Sequence, residues 1–423
     1  MEFNVKISKL PVPILNLAVI LPQTILRISA MSLSHGRDLF MTPGPSVVPD
    51  RVLNAMHRAA PNIYEGDLLD MTDGILDSLR KVARTAGDPT IYISNGHGVW
   101  EAALNNVLQP GDKVLCLAAG VFGHGWAAVA RQMGMTVKLL DFGVSGGLDV
   151  DRVADALRAD RTINAVLVTH TDTSSSVRND IAALRKVIDS TGHHALLMVD
   201  CIASLACEPF EMDAWGVDVM VAGCQKGIMT PPGVAFTFHN AKAAEVSRSI
   251  PKTSPYWNWE PRVNPERFYY RFNGTPPTHH LFGLSEALTM LVDEEGIENV
   301  WARHAKQAQA VWAAVDIWAQ AGAIRANVPD HAHRSTAVTT VISDGHNMEP
   351  LHQWCQDTAG LTLGVGISFG PSTSDQIFRI GHMGHMNPVM LLGALTTIET
   401  GLRALQIPIG EGGIAAAGAV LSI

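Results

Sequence analysis

Between about residues 90 and 240 the chain alternates short β-branched or Leu-rich runs with amphipathic stretches of helix length. This is the pattern of a mostly parallel sheet covered by helices on both faces. Strands are expected at 90–93, 113–117, 136–140, 165–168, 196–199, 217–222 and 234–238, giving a seven-stranded α/β sheet. Helices are expected between them at 99–108, 123–133, 150–158 and 179–190. Such a sheet brings the carboxyl ends of its parallel strands to one edge, where ligands bind.

The flanks read differently. Residues 250–278 hold six prolines, three tyrosines and two tryptophans, which break any period and suggest an irregular, functional excursion. Long helices are expected at 281–293 and 297–321, the second stopped by Gly322. Beyond Thr336 a strand, helix, strand, helix pattern suggests a smaller α+β domain. The expected division is a large domain with an N-terminal arm at 31–285 and a small domain at 286–423. Residues 1–30 are set apart: an apolar run at 11–26 follows Lys6 and Lys9 but is interrupted by Pro11, Pro13 and Pro22. It is too short and broken to span a bilayer, and reads as a weak targeting segment or an extension upstream of Met31.

A net charge of −9 and a pI near 6.0 argue against a nucleic-acid binder and for small-molecule partners. Five scattered cysteines form neither a zinc pattern nor a disulfide framework, which fits a reducing cytoplasm. None of the seventeen histidines stands in a His-Glu-x-x-His or comparable spacing, so no metal site is expected.

Chemistry concentrates at the expected strand ends. Val219-Met220-Val221-Ala222-Gly223-Cys224-Gln225-Lys226-Gly227 runs from an uncharged strand into a small-residue turn bearing one lysine. An amine so placed and partly buried has a lowered pKa and can attack an aldehyde, although most lysines after strands are simply solvated. Leu196-Leu197-Met198-Val199-Asp200 ends in a carboxylate that would pair with a protonated pyridine nitrogen, or cap a helix, or bind a metal. Ser94-Asn95-Gly96-His97-Gly98 opens a helix with glycines that expose backbone N–H groups to a phosphate, a turn also common without that role. Phe122 would stack on a flat ring or belong to the core. His170-Thr171-Asp172-Thr173-Ser174-Ser175-Ser176 offers hydroxyls to a ligand, or a turn with helix capping. Arg379, between apolar residues of an expected strand, suits a substrate carboxylate or a structural ion pair.

From Leu39 onward the sequence resembles class V aminotransferases of the serine-glyoxylate and alanine-glyoxylate type. The resemblance rests on Thr42-Pro43-Gly44-Pro45, Trp100-Glu101-Ala102-Ala103-Leu104, Val199-Asp200, Gly223-Cys224-Gln225-Lys226-Gly227 with Pro231-Pro232-Gly233, Val300-Trp301-Ala302-Arg303-His304 and Arg379-Ile380-Gly381-His382. It implies a fold-type I enzyme dependent on pyridoxal 5'-phosphate, a homodimer with shared active sites, acting on a small amino acid and a 2-oxo acid. On the matching positions Lys226 becomes the Schiff-base lysine, Asp200 the partner of the pyridine nitrogen and Phe122 the stacking aromatic. Thr173 lies near the cofactor, and Asn95, Gly96, His97 and Gln225 surround its phosphate. Phe272 and Thr275 match positions that reach the phosphate from the neighbouring subunit, and Arg379 matches the substrate-carboxylate arginine.

Departures from the pattern bear on substrate. Tyr64-Glu65-Gly66 replaces His-Arg-Gly, Asp172-Thr173-Ser174-Ser175-Ser176 replaces Glu-Thr-x-Thr-Gly, Ser368-Phe369-Gly370-Pro371 replaces a glycine-rich approach to the arginine, and Phe272 replaces a tyrosine. Tyr64 and Glu65 are therefore candidate substrate-binding residues. Gly120-Val121-Phe122-Gly123, Asp172-Thr173 and Tyr64 look closer to pyridoxamine-pyruvate aminotransferase, although that enzyme's second substrate arginine would fall at Gly370. Two further alternatives are a lyase such as a cysteine desulfurase, for which Cys355 is the one C-terminal cysteine, and a non-catalytic binding protein on the same fold.

Overall fold

The computed structural model describes residues 33–367 and 374–422. The expected N-terminal extension and the Ser368-Phe369-Gly370-Pro371 segment lie outside the described residues. In chain order the strands are β1 (Leu39–Met41), β2 (Asp88–Ser94), β3 (Lys113–Ala118), β4 (Thr136–Asp141), β5 (Ile163–Thr169), β6 (Thr171–Asp172), β7 (Val177–Arg178), β8 (Leu196–Asp200), β9 (Val219–Gly223), β10 (Gly233–His239), β11 (Ile324–Ala326), β12 (Val338–Ser343), β13 (Leu361–Val365) and β14 (Ile377–Gly381).

Seven of these form the principal sheet in the order β2-β10-β9-β8-β5-β3-β4. Only β10 runs antiparallel to its neighbours. The expected strands coincide with these seven to within two residues at either end. Their legibility has a physical cause, since strands covered on both faces are apolar nearly throughout. Side chains alternate between two cores. Leu115, Leu117, Val166, Val168, Leu197, Val199, Met220 and Ala222 enter one, and Val114, Cys116, Ala165, Leu167, Leu196, Met198, Val219 and Val221 the other.

A second, five-stranded sheet has the order β1-β13-β14-β12-β11, with β1 parallel to β13 and the rest antiparallel. The N-terminal arm thus contributes its strand here, through Leu39 opposite Leu361 and Met41 opposite Leu363, and not to the sheet with which it was grouped by sequence. Helix Ile297–Trp318 packs on helix Gly413–Leu421 to close this second core.

Helix boundaries depart where propensity misleads. The helix expected from Val99 begins at Gly96, because Asn95 caps it and outweighs the cost of two glycines in its first turn. Helix Thr278–Leu288 continues as a π-helical stretch, Thr289–Glu295. The proline-rich excursion contains the short helix Glu260–Val263 and the 3-10 turn Phe268–Phe272, and is anchored rather than loose. Trp259 and Arg262 are buried, and the Arg262 guanidinium donates to the carbonyls of Ile91, Tyr256 and Arg271. No helix among the described residues is long and apolar enough to cross a membrane.

Candidate active site

The carboxyl ends of β2, β3, β5, β8 and β9 open on one edge of the principal sheet. There a cavity of about 170 Å³ is walled by Asn95, Gly96, His97, Trp100, Phe122, Thr171, Thr173, Asp200, Ile202, Ala203, Gln225 and Lys226. Eight of the thirteen residues singled out in the sequence thus meet at one place.

Lys226 lies in the turn after β9. The turn is held by Ser46, whose N donates to the Gln225 carbonyl at 3.0 Å and whose Oγ donates to the Lys226 carbonyl at 2.7 Å. Lys226 Nζ donates to the Pro43 carbonyl. Gly44 adopts φ +107°, and a Cβ there would overlap the lysine Nζ, Cδ and Cε. The Thr42-Pro43-Gly44-Pro45 segment is therefore a fitted cover on the lysine. Burial lowers the Lys226 pKa from 10.5 to about 8, helped by the positive charge of Arg379 and opposed by Asp200. Near neutral pH roughly a tenth of the amine is unprotonated, against less than a thousandth for an unperturbed lysine.

Asp200 closes β8 and is buried. Its Oδ2 accepts from Trp100 Nε1 at 2.9 Å and its Oδ1 from Ile202 N at 2.7 Å. Burial raises its pKa to about 7, while those two hydrogen bonds pull the other way. A cation at this wall would tip the group to its ionised form.

Helix Gly96–Val107 points its N-terminus at the cavity, with Asn95 Oδ1 accepting from His97 N and Gly98 N at 3.1 and 3.4 Å. Phe122 sits in the first turn of helix Val121–Gln132, whose N-cap Gly120 has no side chain to offer. The β6–β7 hairpin supplies the missing cap. Ser174 Oγ accepts from Val121 N at 2.9 Å, and Asp172 Oδ2 from Phe122 N and Gly123 N at 2.8 and 3.1 Å. Thr173, in the same turn, faces the cavity and through its carbonyl accepts from Arg379 Nη1 at 3.0 Å. Arg379 itself is buried on β14, with Nε donating to the Val365 carbonyl at 2.8 Å.

Five of the singled-out residues lie off the cavity wall. Arg379 meets the wall through its hydrogen bond to the Thr173 carbonyl and through its charge, which acts on Lys226. Tyr64 is 72% exposed and meets Tyr269 edge-on, and Glu65 is exposed and accepts from Asn62. Thr275 is exposed. Phe272 corrects the expectation for its position: its ring is buried against Phe268 in its own chain, so it is core and projects towards no neighbour. Sequence reasoning gave no role to Trp100, to the Asp172 carboxylate or to the Pro43 carbonyl. The one available signal was the helical spacing that places Gly96, His97 and Trp100 on one face.

The wall fits pyridoxal phosphate. It joins a low-pKa amine, a desolvated carboxylate, a half-buried phenyl face and a helix N-terminus. The Gln225 carboxamide oxygen is buried here with no partner among the described residues, which leaves that amide for a ligand.

Comparison with known proteins places the chain in one family. The sequence model described as aminotransferase class-V matches residues 43–385. Serine–glyoxylate aminotransferase of Methylorubrum extorquens is 35% identical over 396 residues, covering 91% of this chain and 96% of that protein. L-aspartate–glyoxylate aminotransferase of Paracoccus denitrificans is 32% identical over 382 residues, covering 89% and 94%. Among solved structures, pyridoxamine-pyruvate aminotransferase from Mesorhizobium loti superposes with a TM-score of 0.84 at 27% identity, covering 92% of this chain and 99% of that one.

Proposed function

The chain belongs to the class V aminotransferase family, and on that premise we propose that it moves the amino group of a small amino acid, of the serine or alanine kind, to glyoxylate or pyruvate in two alternating half-reactions. It is a pyridoxal phosphate-dependent transaminase of fold type I. When bound, the cofactor supplies an electron sink that makes the substrate α-carbon acidic.

The protein's part follows from the cavity. Lys226 would hold the cofactor and, once released, its amine would carry the proton at the substrate α-carbon, a task suited to a group with a pKa near working pH. Asp200 would keep the ring nitrogen protonated. Phe122 would cover one ring face, with Thr173 beside it. Asn95, Gly96, His97 and Gln225 would take the phosphate end, where backbone N–H groups and the helix dipole favour an anion. Arg379 would bind the substrate carboxylate, oriented by its tie to Thr173, and the exposed Tyr64 and Glu65 would shape donor choice. Thr275 would complete the site of a second subunit in a homodimer. Five buried, unpaired thiols fit a cytoplasmic location.

One observation carries this reading: Lys226 and Asp200 face the same cavity, their pKa values drawn to about 8 and about 7. A second reading, with pyridoxamine as amino donor, is favoured by the likeness to the Mesorhizobium loti enzyme. One assay separates them. The holoenzyme is mixed in turn with L-serine, L-alanine, L-aspartate, L-cysteine and pyridoxamine, and conversion of the bound cofactor to its amino form is followed spectrally, then reversed with glyoxylate or pyruvate. Conversion by serine or alanine with reversal by glyoxylate supports the main reading. Conversion by pyridoxamine alone supports the second, sulfide release from cysteine would indicate a lyase, and no conversion by any donor would leave only a binding role.

A further inference from the structure

We propose that Trp100 is a positioning residue for Asp200, its indole N–H holding the carboxylate turned into the cavity and ionised. The inference rests on Asp200 serving the ring nitrogen of the cofactor.

Among the described residues Asp200 receives two hydrogen bonds, one to each oxygen. The donor at Oδ1 is the backbone N–H of Ile202, two residues along the same chain, and survives any side-chain substitution. The donor at Oδ2 is the Trp100 indole, so this is the bond that the choice of side chain controls. Burial favours the neutral acid, and an N–H donor favours the ionised one. A carboxyl poised near pH 7 therefore responds strongly to the loss of either donor.

The indole is held firmly. Its ring is 1% exposed, stacks on Trp126 at 6.1 Å and 15°, and meets the edges of His97 at 4.7 Å and Phe122 at 6.5 Å. Gly125 allows this packing, because a Cβ there would already press on the Trp100 ring at 3.3 Å. The same helix that presents its N-terminus to the cavity thus also fixes the donor to Asp200, one turn further on. The neighbouring Trp126 offers an internal contrast: its indole is buried too, yet its Nε1 has no partner among the described residues. Burial of an indole in this protein does not by itself require a bond to its N–H, and the Trp100 bond is specific to Asp200.

The test compares holoenzyme carrying Trp100→Phe, Trp126→Phe, Asp200→Asn and the double change Trp100→Phe with Asp200→Asn. A further variant places benzothienylalanine at 100, which keeps the two-ring shape and lacks only the N–H. The readouts are the dissociation constant of pyridoxal phosphate, the pH titration of its visible absorption, and kcat and KM for the amino donor. Loss of a hydrogen bond to a charged group predicts roughly tenfold or greater weakening of cofactor binding for both changes at 100. The absorption titration should shift in pH and kcat should fall, with donor KM within about twofold, while Trp126→Phe leaves all readouts within about twofold. In the Asp200→Asn background the change at 100 should have no further effect. Should Trp100→Phe fail to fold, the benzothienylalanine protein decides. Unchanged cofactor affinity and titration in that protein, beside a severe Asp200→Asn defect, would overturn the role of Trp100 alone. A neutral Asp200→Asn would instead overturn the assignment of Asp200.

Discussion

The Asp172 carboxylate, to which sequence reasoning gave no structural role of its own, should be among the costliest single positions near the site. It is fully buried and accepts four hydrogen bonds: Phe122 N and Gly123 N on Oδ2, and Ser174 N at 3.0 Å and Ser174 Oγ at 2.5 Å on Oδ1. With Ser174 Oγ it satisfies the first three N–H groups of helix Val121–Gln132. Gly120 is obliged to lack a side chain, since a Cβ would overlap the carboxylate. In Asp172→Asn the amide nitrogen must face one pair of donors. Turned towards Ser174 it leaves the Ser174 N–H unsatisfied, because the hydroxyl can rotate to accept. Turned the other way it strands two helix N–H groups. The cheaper choice predicts a loss of about 1–3 kcal/mol, at about that cost per unsatisfied buried group. Asp172→Ala strands every donor and should lose more. Urea unfolding of the cofactor-saturated protein measures the loss, and visible circular dichroism of the bound cofactor reports whether Phe122 has moved. A loss below about 0.5 kcal/mol with an unchanged visible spectrum would refute the capping argument, since that is the range of an indifferent substitution.

Two further outcomes are expected. Gly44→Ala strains a φ of +107° and drives a methyl into the Lys226 side chain, so far-ultraviolet circular dichroism should stay native while kcat falls about 10²-fold, the cost of a misplacement of about 1 Å; activity within twofold would contradict the fitted cover. Capture of pyridoxal phosphate by cofactor-free protein needs the unprotonated Lys226 amine, whose pKa is lowered to about 8 first by burial and then by Arg379. A lowered amine pKa means that the reactive fraction grows as pH rises, reaches half at about pH 8 and is nearly complete above about pH 9. The stopped-flow rate should therefore climb from pH 6, reach half its plateau near pH 8 and level off past pH 9, and a rate still rising steeply between pH 9 and 10 would indicate an ordinary lysine.

The fold was legible because its signals are local. Each parallel strand is a short apolar run, Asp200 ends one and Lys226 lies in the turn that follows the next, so their meeting at one sheet edge follows from strand direction. The bonds that aim the site are not local. Trp100 and Asp200 are separated by 100 positions, Phe122 and Asp172 by 50, Pro43 and Lys226 by 183, and Thr173 and Arg379 by 206. No pattern of period two or 3.6 encodes such pairings, which arise only when helices and hairpins from distant segments pack on the same edge. Phe272 illustrates the reverse error. Its position matches that of a residue that reaches outward, yet its ring is buried against Phe268 in its own chain. The helix beginning at Gly96 was misread for a simpler reason, since glycines in a first turn look like loop until the cap before them is weighed.

Reducing the holoenzyme with borohydride and mapping its peptides by mass tests the central assignment most directly. The account predicts a phosphopyridoxyl group on Lys226 and none on Lys226→Ala treated alike. A stable label on any other lysine, or an unlabelled Lys226 in protein that retains its cofactor, would contradict it.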